Sequence, residues 1–381
     1  MLFGAPMPIR NHLYLRTESM KTVQSQGQSA SEVDAMFRAN IRVMEGYTPG
    51  EQPQEGGFIK LNTNENPYPP SPRVEEAIRE TLRRGLQKYP DPLATAFRVA
   101  AGKVLGFDPD WILAGNGSDD ILTICTRAFV GAGDRIRYPY PSYLLYGVLG
   151  RLQEATIEEV MFLPDWNLPE EFILPREDLR LCYLPNPNSP SGTMIRPQAV
   201  EAAAERLSCP LLVDEAYADF ADYHCLDSVR RCKRILVSRT LSKSYALAGL
   251  RFGFLIAQPD IIRQLRKVKD SYNCDALSIA AATAAIEDRA WLRENRTKIL
   301  ATRTRLRAGL AGLGFHVLDS QANFVWCTHR ERKAKDIFDG LKRRKILVRY
   351  MVYPRWGDGL RITVGTDAEI DTLLQELKAI V

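Results

Sequence analysis

The chain has 381 residues, of which 45% are hydrophobic and 25% are charged, and its formal net charge is +5. This length and composition are typical of a globular protein with two domains or with one large domain and a lobe, and they exclude a chain that is disordered as a whole. The charge is mild for this length and no long basic run occurs, so nothing indicates binding of nucleic acid.

The seven cysteines are odd in number and contain no CxxC pair, and the four histidines do not cluster at ligand spacing. The sequence therefore predicts neither a disulfide framework nor a metal site, and it favours a reducing cytoplasm. No apolar run has the length of a membrane span, and the N-terminus lacks the pattern of a signal peptide. We expect a cytoplasmic protein without membrane association.

Residues 1–35 differ from the rest of the chain because they contain the polar stretch Lys21–Ser31, rich in Gln and Ser. We interpret them as an N-terminal tail, with Met36 as a plausible alternative start. An ordered N-terminal arm remains the other interpretation, since length alone does not decide between the two.

Helical spacing of apolar residues then alternates with short apolar runs that end in polar loops. Helices are predicted at residues 74–84, 97–105 and 121–130, and buried strands at 111–114, 181–184, 210–213, 235–237 and 252–257. This alternation predicts an α/β fold with a mostly parallel central sheet, whose ligands bind beyond the carboxyl ends of the strands.

The pattern changes past residue 275. An Arg-rich helical stretch at 276–313 leads into strands at 315–318, 324–327, 347–349 and 360–364. We interpret this part as a smaller α+β domain.

One lysine, Lys243, lies between hydroxyl residues and precedes Arg251 by eight positions. A lysine that forms a Schiff base needs a depressed pKa and a fixed position, and a phosphate anchor needs hydroxyl donors and a guanidinium. The stretch 239–251 supplies both requirements. A surface Ser/Lys loop is the alternative interpretation.

Asp214 follows a buried strand, where a carboxylate is costly unless it meets a positive partner. A protonated pyridine nitrogen is such a partner, and Tyr217 lies three residues further on, within reach of the ring hydroxyl. A helix N-cap aspartate is the simpler alternative.

The stretch Gly115–Asp120 joins a predicted strand to a predicted helix, where backbone N–H groups can hold a phosphate. A dinucleotide-binding GxGxxG motif is the obvious rival. It fails because Asp120 stands in place of the third glycine.

These motifs occur together in an order that resembles the fold-type-I pyridoxal-phosphate-dependent aminotransferases, and among them the histidinol-phosphate aminotransferase family. The resemblance runs from about Phe37 to the C-terminus. It rests on seven motifs: 47–53 (YTPGEQP), 61–67 (LNTNENP), 89–92 (YPDP), 115–120 (GNGSDD), 214–217 (DEAY), 239–251 and 360–365 (LRITVG).

The resemblance implies pyridoxal 5′-phosphate as the cofactor and the fold of this superfamily. Lys243 is implied to carry the cofactor and to move the proton, Asp214 to pair with the ring nitrogen, and Tyr217 to bind the ring oxygen. Tyr143 is implied to stack on the ring. The residues implied to hold the cofactor phosphate are Gly117, Ser118, Asp119, Thr240, Ser242, Arg251 and, from a neighbouring subunit, Tyr89.

For the substrate, the resemblance implies that Arg349 and Arg361 grip a phosphate group, that Tyr47 closes the site from the partner subunit, and that Asn64 lines the pocket. A solvated strand-end arginine is the alternative for Arg349. The sequence departs from the family at Ser189, which stands where an asparagine usually binds the ring oxygen. We expect Asn186 or Asn188 to compensate.

The implied reaction transfers an amino group between L-histidinol phosphate and 2-oxoglutarate, a step of histidine biosynthesis, in a homodimer. Rivals are an aromatic or broad-specificity aminotransferase, a threonine-phosphate decarboxylase, a non-catalytic cofactor-binding regulatory module and a nucleotide-binding oxidoreductase. The expected organisation is a tail (1–35), an N-terminal segment packing with the small domain and the partner (36–66), a large cofactor-binding domain (67–275) and a small domain (276–381).

Overall fold

The computed structural model describes residues 33–381. The predicted tail 1–35 therefore lies almost wholly outside the described residues. Contacts divide the chain into two compact units, Met1–Val43 and Met44–Val381. The described part of the first unit contains a short 3₁₀ helix, Asp34–Met36, and a short α-helix, Ala39–Val43, and the remaining elements belong to the second unit.

The helices of the described residues, α1 to α12 in chain order, are Ala39–Val43, Pro72–Arg84, Thr95–Leu105, Ser118–Phe129, Leu145–Leu152, Pro197–Arg206, Ser228–Arg231, Pro259–Leu265, Ala276–Glu287, Arg289–Gly312, Ala334–Arg343 and Asp367–Lys378. The strands, β1 to β12, are Ile59–Leu61, Ile112–Gly115, Arg135–Tyr140, Thr156–Met161, Leu179–Pro185, Leu211–Asp214, Ile235–Thr240, Gly253–Ile256, Phe315–Val317, Phe324–His329, Ile346–Tyr353 and Gly357–Thr363.

Seven strands form the larger sheet in the order β2-β8-β7-β6-β5-β3-β4. Only β8 runs antiparallel to its neighbours. The α/β fold with a mostly parallel central sheet is thus confirmed.

Strands β2, β6 and β8 of this sheet are apolar along nearly their whole length because both faces of the sheet are covered. In β6, Leu211 and Val213 pack into one hydrophobic cluster and Leu212 into another. Successive side chains of a strand point to opposite faces, so a continuous apolar run is what two covered faces require. The carboxyl ends of β5, β6 and β7 therefore present their polar loops at one edge.

A second sheet of five strands has the order β1-β11-β12-β10-β9. Strand β1 pairs parallel with β11, and the other pairs are antiparallel. The sheet packs its own cluster with α10, α11 and α12. Strand β1 comes from the segment 36–66, so this segment contributes to the smaller sheet, while the domain limits at 67 and 276 remain a prediction.

Candidate active site

A cavity of about 350 Å³ opens where the carboxyl ends of β5, β6 and β7 face the loop after β1 and strands β11 and β12. All residues predicted from the sequence to form the site line this cavity, except Gly117 and Tyr89. The predicted residues that line it are Tyr47, Asn64, Ser118, Asp119, Tyr143, Ser189, Asp214, Tyr217, Thr240, Ser242, Lys243, Arg251, Arg349 and Arg361.

Lys243 lies in the loop after β7, and its Nζ donates a hydrogen bond to the Thr63 carbonyl oxygen at 3.0 Å. Burial lowers the pKa of Lys243 to about 8, and the nearby Arg361 guanidinium acts in the same direction. Both effects disfavour the charged form. The amine is therefore available as a nucleophile near neutral pH, which an ordinary surface lysine is not.

Asp214 ends β6 and is only 5% exposed. Its Oδ2 accepts a hydrogen bond from the Tyr146 hydroxyl at 2.9 Å, and its Oδ1 accepts from the Ala216 N–H at 3.2 Å and the Ser238 hydroxyl at 3.3 Å. Burial raises the pKa of Asp214 to about 6. A buried carboxylate of this kind fits a cationic ring nitrogen, which supplies the opposite charge.

Tyr217 follows Asp214 by three residues, and its ring packs edge-on against Phe324 at a centroid distance of 4.9 Å. The Tyr217 hydroxyl accepts a hydrogen bond from Asn64 Nδ2 at 2.9 Å. Burial raises the pKa of Tyr217, so the phenol keeps its proton at neutral pH and can donate it.

The start of α4 forms an anion cradle. Gly117 takes a φ of +84° just before Ser118, which turns the backbone into the helix. Arg251 donates from Nη1 to the Ser242 hydroxyl at 3.3 Å and from Nη2 to Asp119 Oδ2 at 3.5 Å. A Cβ on Gly117 would lie 2.8 Å from Arg251 Nη2. Backbone N–H groups, hydroxyls and a guanidinium thus converge as a phosphate group needs.

Arg349 and Arg361 are direct register partners on the antiparallel strands β11 and β12. Opposed residues of such a pair point to the same face, so both guanidinium groups reach one side of the cavity. Arg361 donates to the Ser189 hydroxyl at 2.9 Å and to the Asn62 carbonyl oxygen at 3.0 Å, while its buried Nε has no hydrogen-bond partner within residues 33–381. Two adjacent guanidinium groups form a site for a dianion.

Within the described part of the chain, the hydrogen bonds of the Arg349 guanidinium go to carbonyl oxygens of the loop before β1. Its Nη1 donates to Pro49 O at 3.2 Å and its Nη2 to Thr48 O at 3.3 Å. A carbonyl oxygen is a weaker partner for a guanidinium than an anionic oxygen. An incoming phosphate can therefore compete for these donors.

Ser189 lies in the cavity, but neither of the asparagines expected to compensate for it does. The amide of Asn186 is fully engaged with the backbone of Ile195, to which it donates at 2.9 Å and from which it accepts at 2.8 Å. Asn188 donates to the Pro141 carbonyl oxygen and to the Ser191 hydroxyl. Both side chains thus bind neighbouring protein groups in this structure, and compensation for Ser189 by either of them stays a prediction.

The two tyrosines expected from a second subunit occupy different places. Tyr47 lines the cavity of its own chain, where its ring packs edge-on against Tyr143 at a centroid distance of 5.6 Å, and closure of the site by Tyr47 of a partner subunit stays a prediction. Tyr89 lies outside the cavity, 80% exposed and stacked on Tyr272 at 4.4 Å.

Tyr146 was missed by the sequence analysis. It is fully buried on α5, three residues after Tyr143, and it lines the cavity beside Asp214. A buried tyrosine in an apolar helix has the sequence pattern of a core residue. Only its nearness in the chain to Tyr143, whose ring packs edge-on against it at a centroid distance of 5.6 Å, could have indicated the contact.

The described part of the chain contains no group of three or more His, Cys, Asp or Glu side chains placed to hold a metal ion. Among residues 33–381, no helix combines the length and the apolar character that crossing a bilayer requires.

A buried amine of lowered pKa, a buried carboxylate and an anion cradle in one cavity define the class of pyridoxal-phosphate-dependent enzymes. The chain belongs to the aminotransferase class I and II family, whose model matches residues 57–377. It is therefore an aminotransferase that uses pyridoxal 5′-phosphate, as the sequence predicted.

Two curated relatives are similar over most of the chain. A histidinol-phosphate aminotransferase of Rhodopirellula baltica is 55% identical over 89% of this chain and 94% of its own length. One of Geotalea uraniireducens is 44% identical over 90% of this chain and 99% of its own length. A crystal structure of the Sinorhizobium meliloti histidinol-phosphate aminotransferase in complex with pyridoxal 5′-phosphate is 27% identical, with a TM-score of 0.79, over 85% of this chain and 92% of that chain.

Proposed function

We propose that the protein transfers an amino group between L-histidinol phosphate and 2-oxoglutarate, giving imidazole-acetol phosphate and L-glutamate. This step belongs to histidine biosynthesis. Two relatives named histidinol-phosphate aminotransferase support the proposal, since they are 55% and 44% identical to this chain over nearly their whole length.

The observation that carries the proposal is the pairing of Arg349 with Arg361 across β11 and β12. A substrate α-carboxylate needs one guanidinium for a bidentate contact, whereas a phosphate dianion can use two. The aromatic side chain of Tyr47 lines the same cavity and supplies apolar surface for an imidazole ring, while Tyr143, which contacts it, is left to stack on the cofactor ring.

We assign the chemistry of the protein to four groups. The cofactor supplies an electron sink at the carbon that loses its proton. Lys243, as a neutral amine, removes that proton from the substrate and delivers it to the cofactor. Asp214 holds a proton on the cofactor's ring nitrogen through its negative charge, and Tyr217 donates a hydrogen bond to the ring oxygen. The cradle of Ser118, Asp119, Thr240, Ser242 and Arg251 fixes the phosphate and so orients the ring.

We further propose a cytoplasmic homodimer in which Tyr89 reaches the cofactor phosphate of the partner. Tyr89 is 80% exposed and Leu86 is 54% exposed on the same surface segment, an arrangement that buries apolar area if a second copy covers it. All seven cysteines are free, which suits a reducing compartment. Light scattering should give twice the chain mass of 43.0 kDa, and a value of one chain mass would contradict the dimer.

A single half-reaction tests the substrate. L-histidinol phosphate or L-phenylalanine is added to the cofactor-loaded enzyme, and loss of the absorption band of the lysine-bound cofactor is followed. We expect bleaching at far lower concentrations of L-histidinol phosphate, because only this substrate engages both arginines. An equal or stronger response to L-phenylalanine would assign the protein to the aromatic or broad-specificity aminotransferases instead.

A further inference from the structure

Asn64 is buried, with 1% exposure, and takes a left-handed backbone conformation with a φ of +57°. Its side chain does not simply line the cavity. The backbone of Asn64 is held by two hydrogen bonds. Its carbonyl oxygen accepts from Asn323 Nδ2 at 3.0 Å, and its N–H donates to the Thr363 hydroxyl oxygen at 3.0 Å.

A second contact between Asn64 and Thr363 determines the direction of the Thr363 hydroxyl proton. The Thr363 oxygen already accepts from the Asn64 N–H, and it lies 3.1 Å from Asn64 Oδ1, which has no proton to offer. The hydroxyl must therefore donate to Oδ1. Thr363 is 3% exposed, so water does not offer an easy alternative.

This arrangement orients the Asn64 amide. With Oδ1 directed at Thr363, Nδ2 is directed at the Tyr217 hydroxyl, to which it donates at 2.9 Å. A phenol that accepts a hydrogen bond from an amide N–H cannot donate its own proton back along the same line. The Tyr217 proton is left to point elsewhere, and Tyr217 lines the cavity.

We infer that Thr363 and Asn64 act as positioning residues that direct the hydroxyl proton of Tyr217 into the cavity, so that Tyr217 meets the cofactor's ring oxygen as a donor. Asn64 thereby acts through Tyr217 and not on the substrate. The inference rests on the role proposed above for Tyr217, and it requires nothing of the substrate.

The test is a spectrophotometric pH titration of the bound cofactor without substrate. A donor to the ring oxygen stabilises its negative charge, which favours loss of the proton that this oxygen shares with the lysine-linked nitrogen. In the Thr363→Val variant the amide is no longer held and the donor is lost from part of the population. We expect the absorption transition to move up by roughly one pH unit.

Thr363→Ser is the matched control, because it keeps the hydroxyl and should titrate as the unchanged protein does. Asn64→Gly provides a second variant that tolerates the positive φ and should shift the transition in the same direction. In a Tyr217→Phe background, Thr363→Val should add no further shift, since its effect passes through the phenol. An unshifted titration in Thr363→Val and Asn64→Gly, with the cofactor still bound, would overturn the inference.

The titration also separates this inference from the proposed function. A protein that prefers L-phenylalanine but shows the shift would refute the substrate and leave the positioning role intact. A protein that prefers L-histidinol phosphate but shows no shift would support the proposed substrate and refute the positioning role of Thr363 and Asn64.

Discussion

At the scale of single residues, burial shifts the pKa values of Lys243 and Asp214, the two ionisable groups at the centre of the cavity, in opposite directions. It lowers the pKa of Lys243 to about 8 and raises that of Asp214 to about 6. In both cases the charged form is the one disfavoured. We expect a cationic ring nitrogen of the cofactor to favour the ionised form of Asp214, and the neutral amine of Lys243 to be the form that bonds to the cofactor.

The pKa of Lys243 predicts how fast the cofactor attaches to the apoenzyme. Only the neutral amine reacts, so the attachment rate should rise about tenfold per pH unit below pH 8 and level off above it. Stopped-flow absorption measures this rate. Lys243→Ala should bind the cofactor without the absorption band of the linked form, and a rate that keeps rising up to pH 10 would refute the lowered pKa.

The Tyr146 hydroxyl is predicted to keep Asp214 ionised. Tyr146→Phe removes one donor to the carboxylate, so the pKa of Asp214 should rise above about 6. Because only the ionised form pairs with the ring nitrogen, cofactor binding is lost as the pH falls through this pKa, and the loss should begin at higher pH in the variant. At pH 7 we expect cofactor affinity to fall about tenfold.

Tyr183→Phe is the control for this prediction. Tyr183 stacks on Tyr146 at 4.6 Å, but its hydroxyl contacts Thr126 and not Asp214. Cofactor affinity should therefore keep its pH dependence in this variant. Equal effects of the two substitutions would point to packing and not to the hydrogen bond.

At this scale, the sequence predicted residues that sit in recognisable motifs and missed those that act through tertiary contacts. Lys243, Asp214 and Arg251 could be predicted because each lies at or beyond the carboxyl end of a strand. Tyr146 was missed, and Thr363 was not singled out within the motif 360–365, because their partners are 68 and 299 residues away in the chain. Nothing local distinguishes such side chains from ordinary core residues.

At the scale of elements, the anion cradle depends on close packing of strand β8 against the start of α4. A Cβ at Gly253 would lie 2.5 Å from the Ser118 nitrogen and 2.6 Å from the Gly117 carbonyl carbon. Both are backbone atoms, which cannot move aside as a flexible side chain does. The cradle therefore keeps its shape only with glycine at this position of β8.

Gly253→Ala should accordingly displace the cradle and weaken cofactor binding. Overpacking of this kind costs about 1–3 kcal/mol, so we expect the dissociation constant of the cofactor to rise about tenfold, measured by equilibrium titration. Gly249→Ala is the matched control, because a Cβ at Gly249 meets nothing within 4 Å. If Gly253→Ala binds the cofactor as Gly249→Ala does, the cradle does not require this packing.

The sequence pattern also has physical limits at the element scale. Strands β3 and β4 were not predicted, because Arg135, Arg137 and two glutamates interrupt their apolar pattern; Arg137 is buried and donates to Glu158 and to the carbonyl oxygens of Phe172 and Leu174. The stretch 276–313 was interpreted as one helical region. It contains two helices, α9 and α10, because the chain is not helical at Asp288. The Asp288 side chain caps the start of α10 by accepting a hydrogen bond from the Trp291 N–H at 3.2 Å.

At the scale of the whole molecule, the two sheets contribute different groups of residues to the cavity. The larger sheet supplies the groups assigned to the cofactor, namely Asp214, Lys243 and the cradle. The smaller sheet supplies Arg349 and Arg361 from one strand pair. The sequence predicted both groups of residues, but the strand register that brings the two arginines to one face could only be seen in the fold.

The central claim is that this arginine pair selects a phosphate-bearing substrate. The most direct test compares kcat/KM for L-histidinol phosphate and for L-histidinol in the unchanged protein and in Arg349→Gln, with Arg343→Gln, exposed on α11, as the control. We predict that Arg349→Gln lowers the preference for the phosphate ester by about ten- to a hundredfold and leaves turnover of L-histidinol nearly unchanged. An equal loss for both substrates, or no loss of the preference, would contradict the claim.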